Sequence, residues 1–399
     1  MAIQINAFFT VLFAAALYWL GNRLVKRISF LRTYCIPAPL VGGLLFALAN
    51  TILHATGSFY FTFDSNIQTL LMVAFFTTVG FTARIDQLKK GGKAVVVAMI
   101  LASILTLLQN FLGAGVLMAF GKDPRLGLAV GSISMVGGPG TAASFGPVLE
   151  AAGAEGGSVV GLAAATFGLV MGSLLGGPAA NWLIRHYNIE GRAAEEAEKE
   201  TTTGEKVKKP RYSPERFFVA MTLIGMCMVA ADGMAEAFTK HIGVNLPWFV
   251  AAMLAGAILR NCWVFKGFPD EEADKLGNLC LCGFLSMAMM SLKIWDLAEL
   301  AGPLVAALAL QVIMLLAFSY FFVFPRMGRD YDAAVMTAGF IGFSLGATSN
   351  AMANMQAVTK KYGPSPTSFL VIPLVGGMGI DFVNIFVVSA LIPVFGNLV

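Results

Sequence analysis

Two glycine-rich stretches hold the residues best placed to do chemistry. Residues 131–150 read GSISMVGGPGTAASFGPVLE and supply Ser132, Ser134, Gly137, Gly138, Gly140 and Thr141. The stretch is too apolar for a soluble loop and too broken for a plain helix. At Gly137–Gly138–Pro139–Gly140 the glycines free the backbone and the proline removes a donor, so a helix must stop there. A helix restarting behind such a break points bare N–H groups at whatever lies before it, which is an anion site. Thr141 can cap that restart. Residues 339–359, GFIGFSLGATSNAMANMQAVT, have the same character and supply Ser344, Gly346, Thr348, Ser349, Asn350, Asn354 and Gln356. Asn350 and Asn354 lie one turn apart on one helical face. Polar residues of this kind also glue helices together, at about 1 kcal/mol per contact.

A third feature is Asp381, set in GMGIDFVNIF with Asn384 three positions on and on the same face. A lone carboxylate in an apolar run faces a partner or a water-filled path. It can pair with an ammonium, help to hold a cation or carry a proton. Gln109–Asn110 falls in the middle of another apolar run, and Thr166 lies beside Gly168 in a third. Amide and hydroxyl oxygens suit a hard cation. The candidate cation ligands are therefore Asn110, Thr166, Gln356, Asp381 and Asn384. Arg84 is a weaker candidate for a carboxylate partner, since it also reads as an interfacial anchor.

These residues need a scaffold, and the composition says which kind. Of 399 residues, 57% are hydrophobic and 13% charged, against about a quarter charged in soluble domains. The mean hydropathy is +0.75. Apolar runs of about 20 residues, the length a bilayer core requires, alternate with short charged connectors. Spans are predicted near residues 5–22, 37–56, 69–83, 94–120 and 158–184, then 217–235, 246–262, 276–292, 301–324 and 368–395. Residues 185–216 differ: rich in Lys, Arg and Glu, they cannot bury enough surface to fold alone. The first apolar run lacks a small-residue cleavage site and reads as a retained span. The five cysteines and three histidines form no metal-binding spacing, and no nucleic-acid partner or cofactor is indicated.

Connector charge predicts the orientation. Twenty-three of the 27 Lys and Arg fall on one side of this plan, leaving only Lys122, Arg125, Lys240 and Lys293 on the other. The rich side is cytoplasmic, which puts both termini outside. Five spans per half force related halves to be inverted copies. Gly121–Lys122–Asp123 is echoed by Gly328–Arg329–Asp330, Gly140–Thr141–Ala142 by Gly346–Ala347–Thr348, and Gln109 by Gln311. The expected fold is an all-α polytopic membrane protein, an inverted repeat of 5+5 transmembrane helices. Residues 1–184 form the first repeat with a re-entrant hairpin at about 127–155. A cytoplasmic linker spans 185–216, and 217–399 form the second repeat with a hairpin at about 333–362. The pattern suits a secondary carrier. An enzyme would want a catalytic dyad, and Asp381 has no in-span His, Glu or Lys companion.

The chain resembles the bacterial sodium/glutamate symporters over nearly its whole length. The resemblance is carried by Pro37-Ala38-Pro39-Leu40-Val41-Gly42-Gly43-Leu44, Ala74-Phe75-Phe76-Thr77-Thr78-Val79-Gly80 and residues 131–141. It continues through Ala165-Thr166-Phe167-Gly168 with Gly176-Gly177-Pro178, Tyr331-Asp332-Ala333-Ala334-Val335, and Gly346-Ala347-Thr348 with Ala353-Asn354-Met355-Gln356-Ala357. Two positions depart from it. Pro139 stands where the family often has histidine, and Ser349–Asn350 where proline and threonine are common. The resemblance implies Na⁺-driven uptake of L-glutamate across the bacterial cytoplasmic (inner) membrane by a homodimer, with Na⁺ as coupling ion. The family's hairpin motifs land on residues 132–141 and 344–356. A bundle carrying both hairpins would move against stationary spans one, two, six and seven. The departures leave open a Na⁺-coupled carrier of aspartate, citrate or malate.

Overall fold

The computed structural model describes residues 2–33, 36–57, 59–84, 92–190, 214–242, 246–262, 267–295 and 300–398. Most of the charged linker (191–213), Lys89, Lys90 and Cys35 lie outside the described residues. Strand β1 (Ala2–Ile5) leads into α1 (Ala7–Arg27), whose N-cap Asn6 accepts a hydrogen bond from Phe9 N at 3.1 Å. A short α2 (Ser29–Thr33) precedes α3 (Ala38–Ala55), which Pro37 and Pro39 open. Strand β2 (Tyr60–Phe63), α4 (Asn66–Thr82) and α5 (Gly92–Ala119) follow. The first glycine-rich stretch folds as α6 (Arg125–Val130), α7 (Ser132–Met135) and α8 (Gly138–Ala151), and α9 (Gly157–His186) closes this half.

The second half runs α10 (Pro214–Ile242), α11 (Trp248–Cys262), α12 (Asp270–Met290) and α13 (Ala301–Phe318). A π-helical turn (Ser319–Val323) joins α13 to α14 (Phe324–Arg326). The second stretch forms α15 (Tyr331–Phe343) and α16 (Thr348–Tyr362), with Asp330 capping α15 through Ala333 N at 2.8 Å. The last span is α17 (Pro366–Leu374), a second π-helical turn (Val375–Gly379) and α18 (Ile380–Gly396).

Among the described residues, seven helical segments are long and apolar enough to cross a membrane: Ala7–Arg27, Ala38–Ala55, Gly92–Ala119, Gly157–His186, Pro214–Phe238, Ala301–Arg326 and Pro366–Gly396. Asn66–Thr82 and Trp248–Cys262 are apolar but shorter. Helix α12 starts on the acidic turn Asp270, Glu271 and Glu272. A helix therefore lies at each position where the sequence predicts a span. The all-α expectation needs one correction, because β1 and β2 pair in parallel with Ala2 opposite Tyr60 and Ile5 opposite Phe63. Asn50 of α3 completes the ladder, accepting from Phe61 N at 2.8 Å and donating to Phe61 O at 3.1 Å. No local pattern in the sequence between the first predicted spans signals this pairing.

The helices sort into two bundles. In the first, α4 packs on α10, α11 and α12, while α1 and α3 pack on each other and on α12. In the second, α9 packs on α6, α8, α15 and α16, while α13 and α18 pack on α5. Spans three and eight therefore belong with one, two, six and seven, a larger group than the sequence reading gave. The main bridge between bundles is α12 against α8. An aromatic run crosses the same seam, with Phe76 of α4 at 4.8 Å from Phe249 of α11, and Phe249 at 5.2 Å from Phe145 of α8.

Small residues permit the close approaches. A Cβ placed on Gly80 of α4 would sit 2.1 Å from the Met253 carbonyl of α11, so only glycine allows this contact. Such backbone proximity is a principal source of helix association where lipid removes the hydrophobic drive. Gly80→Leu should separate α4 from α11 and lower the unfolding midpoint of the detergent-solubilised protein by about 5 °C or more. An unchanged midpoint in a scanning-fluorimetry melt would contradict that packing account.

Candidate functional site

The breaks in the two glycine-rich stretches meet each other. Gly138 has φ +67°, and a Cβ on it would lie 2.2 Å from the carbonyl oxygen of Gly346, itself at φ +125°. Helix α9 backs the second break, where Gly168 leaves room for the Leu345 carbonyl and Leu169 lies against Gly346. Each stretch is also clasped at its open end. Arg125 Nη1 donates to Ala152 O, tying the start of α6 to the end of α8. Tyr331 Oη donates to Gly363 O, tying the start of α15 to the end of α16.

A cavity of about 480 Å³ opens where the breaks meet, on the seam between bundles. From the second bundle it is lined by Gly137, Pro139, Gly140, Thr141, Gly346, Ser349 and Asp381. From the first come the Pro37–Pro39 turn, Phe75, Tyr18, Asn278 and Cys282. Among the described lining residues Asp381 is the only charged one, and it forms no ion pair. Apolar walls with a few convergent polar groups are the usual make-up of a small-molecule site. Asn278 and Tyr18 were not singled out from sequence. A lone carboxamide in the apolar run of α12 was the available signal for Asn278.

Other predicted site residues lie behind this cavity, hydrogen-bonded into the bundle. Asn350 donates to Leu169 O at 2.9 Å and accepts from Ser173 Oγ at 2.9 Å. Asn354 donates to Gly172 O at 2.8 Å, also on α9. The Ser134 hydroxyl lies 2.5 Å from Ala129 O and 2.6 Å from Gly161 O. Thr348 Oγ1 donates to Gly376 O in the second π-helical turn at 3.0 Å, tying the restarted α16 to the last span.

The predicted cation ligands divide in two. Asn110 Oδ1 accepts from both Ser132 N (3.0 Å) and Ser132 Oγ (2.9 Å), and Asn384 Nδ2 donates to Ser132 O at 3.1 Å. These three residues are fully buried, and Asn384 Oδ1 has no hydrogen-bond partner among the described residues. A second relay adjoins them. Gln311 donates to Gln109 O at 2.7 Å and Gln109 to Ser344 O at 3.1 Å, leaving Gln109 Oε1 and Ser344 Oγ unpartnered. By contrast, Gln356 is exposed and Thr166 Oγ1 bonds its own helix at Leu162 O, 2.8 Å away. Buried polar atoms left unpaired cost about 1–3 kcal/mol each, so their concentration around the breaks marks the region as built for more than packing. Arg84 lies at the end of α4, its backbone N–H 3.3 Å from Met378 Sδ beside the second π-helical turn.

Cysteine labelling checks this partition. In a protein whose native cysteines are replaced, Ser349→Cys and Thr141→Cys should react with a small hydrophilic maleimide. Ser134→Cys should stay unlabelled until the protein is denatured. Equal labelling at all three positions would contradict the cavity's boundaries.

Comparison with known proteins agrees with the residues. The sequence model for the sodium/glutamate symporters matches residues 3–364. The sodium/glutamate symporter of Escherichia coli (strain K12) is 38% identical over 395 residues, covering 97% of this chain and 98% of its own. That of Haemophilus influenzae is 38% identical over 392 residues, covering 96% of each chain. A solved structure, the sodium proton antiporter MjNhaP1 from Methanocaldococcus jannaschii, covers 98% of both chains at 15% identity and a TM-score of 0.40, a loose likeness. With the family model spanning most of its length and curated relatives well above a third identical, the chain belongs to the sodium/glutamate symporter family.

Proposed function

We propose that the protein takes up L-glutamate across the bacterial cytoplasmic membrane, driven by Na⁺ and working by alternating access. The observation that carries this reading is the charge of the 480 Å³ cavity: Asp381 is present, and no Lys, Arg or His lines it among the described residues. Glutamate brings two carboxylates and one ammonium. Asp381 serves the ammonium. The carboxylates must then be met by peptide N–H groups at the helix restarts of α8 and α16, and by cations that arrive with the substrate. A site that lacks its own positive side chains makes substrate binding depend on co-bound Na⁺, which is the physical basis of coupling. Asn110, Ser132 and Asn384, with the spare Asn384 oxygen, are the best-supported Na⁺ ligands. Citrate and malate have no ammonium for Asp381, so an amino acid fits better than either.

In this reading residues 1–184 and 217–399 are inverted five-span repeats, and the two broken stretches are hairpins entering from opposite faces. The bundle of α5–α9 and α13–α18 carries substrate past the bundle of α1, α3, α4 and α10–α12. Exposed Phe8, Leu48, Phe218 and Val229 give the latter bundle an apolar outer face, suited to lipid and to a second copy in a homodimer. Each net positive charge carried inward gains about 2.3 kcal/mol per 100 mV of interior-negative potential. Uptake with more than one Na⁺ per glutamate is therefore strongly concentrative.

Liposomes holding the purified protein should accumulate labelled glutamate under an inward Na⁺ gradient, and entry should cease when choline replaces Na⁺. Entry that is unchanged in choline would refute symport. Asp381→Asn should cut coupled uptake at least about 30-fold, the equivalent of about 2 kcal/mol for a lost charge partner, while the protein still reaches the membrane. Normal uptake and Na⁺ dependence in that variant would remove Asp381 from the mechanism.

A further inference from the structure

A second and larger cavity, of about 940 Å³, lies on the same seam. Its lining shares no residue with the 480 Å³ cavity, yet the same four helices, α4, α8, α9 and α12, contribute to both. Along α12 the smaller cavity ends at Leu285 and the larger begins at Ala288; along α8 the corresponding pair is Thr141 and Ala143. Less than one helical turn separates them on each helix. The larger cavity holds Lys122 and Lys293, two of the four basic residues on the side of the molecule that connector charge assigns to the exterior.

Its chemistry is the reverse of the smaller cavity's. Among the described residues five charged ones line it: Lys122, Asp123, Glu150, Glu155 and Lys293. Two of the acids are committed elsewhere. Asp123 pairs with Arg125, and Glu150 Oε1 accepts from Ser158 N at 2.9 Å at the start of α9. Lys293 and Glu155 are exposed and form no ion pair among the described residues. They stand on opposite walls, Lys293 just after α12 in the first bundle and Glu155 in the α8–α9 turn of the second. Lys122, on the second wall, already has a partner. Among the described lining residues the uncommitted charges are therefore Lys293 and Glu155, an ammonium and a carboxylate on facing walls, the complement of a carboxylate and an ammonium on one amino acid.

We propose that this outer cavity is a docking site that captures a dicarboxylic amino acid from the exterior before it reaches the seam's inner cavity, with Lys293 binding carboxylate and Glu155 binding ammonium. The proposal rests on the glutamate reading above. It also explains why both signs of charge collect at the mouth of a path whose interior holds a single carboxylate. The capture is weak, because exposed charges in water are screened beyond about 8 Å at physiological ionic strength. It acts on the apparent affinity for external substrate and leaves the maximal uptake rate alone.

The test measures side-specific kinetics in oriented vesicles containing the full transporter. Lys293→Gln should raise KM for external glutamate about threefold, and Lys293→Glu further, the size of effect a single charge has at close range in water. The maximal uptake rate, and KM for efflux from preloaded vesicles, should stay at wild-type values, which also shows that each variant is folded; the maximal efflux rate falls by the factor by which external KM rises, as reversibility requires. Added choline chloride at constant Na⁺ should erase the difference between wild type and variants. Glu155→Gln should also raise external KM. If that variant instead lowers it, the cavity merely steers anions and the ammonium assignment falls. Unchanged external KM in Lys293→Glu, or an equal rise on both sides, overturns the docking site. Wild-type protein without Na⁺-dependent glutamate uptake would strike the glutamate reading itself; active wild type with indifferent variants strikes only the dock.

Discussion

In a bilayer every peptide N–H and C=O must find a partner inside the protein, since lipid offers none and each failure costs several kcal/mol. Irregular backbone among apolar helices is tolerated only against other protein or water, and this chain sets one break against the other. Gly138 receives the Gly346 carbonyl where any side chain would collide. Helix α9, with Gly168 and Gly172 facing it, backs the second break. The cavity, the carboxamide brackets and the buried amide relays all assemble around that one contact.

The brackets explain how a broken segment stays rigid. Asn350 and Asn354 pin α16 to α9 by donating to the Leu169 and Gly172 carbonyls, and Thr348 pins its start to the last span at Gly376. The second broken stretch is thereby tied both to α9 and to the last span. Across the seam the first bundle offers mostly aromatic and aliphatic surface, with Tyr18, Asn278 and Cys282 as its polar contribution. The hydrogen bond from Arg84 N–H to Met378 Sδ, 3.3 Å, crosses this largely apolar seam.

Much of this was legible in the residues. Glycine–proline breaks, lone carboxamides and Asp381 are conspicuous against apolar runs, because the energetic cost of each demands a reason. Span positions were legible for the same cause, hydropathy being the dominant force. What the sequence hid were distinctions among polar residues of one type. Asn350 and Gln356 look alike on paper, yet one is wholly buried as a bracket and the other faces outward. Ser132 and Ser349 likewise divide between bundle interior and cavity wall. The β1–β2 pair and the grouping of α4 and α12 with the first bundle depend on tertiary partners that no local pattern encodes. The Asn50 link to Phe61 is one such partner.

The contact between the two tips also bears on how such a molecule can diverge. Gly138 and Gly346 belong to stretches more than two hundred residues apart, yet they share one small volume. Both are glycines at positive φ, and what Gly138 meets is peptide backbone, so no bulk can be traded between them. Lineages of this protein should therefore hold glycine at both tips while the residues around them drift, and a chimera joining the first half of one relative to the second half of another should keep this junction intact.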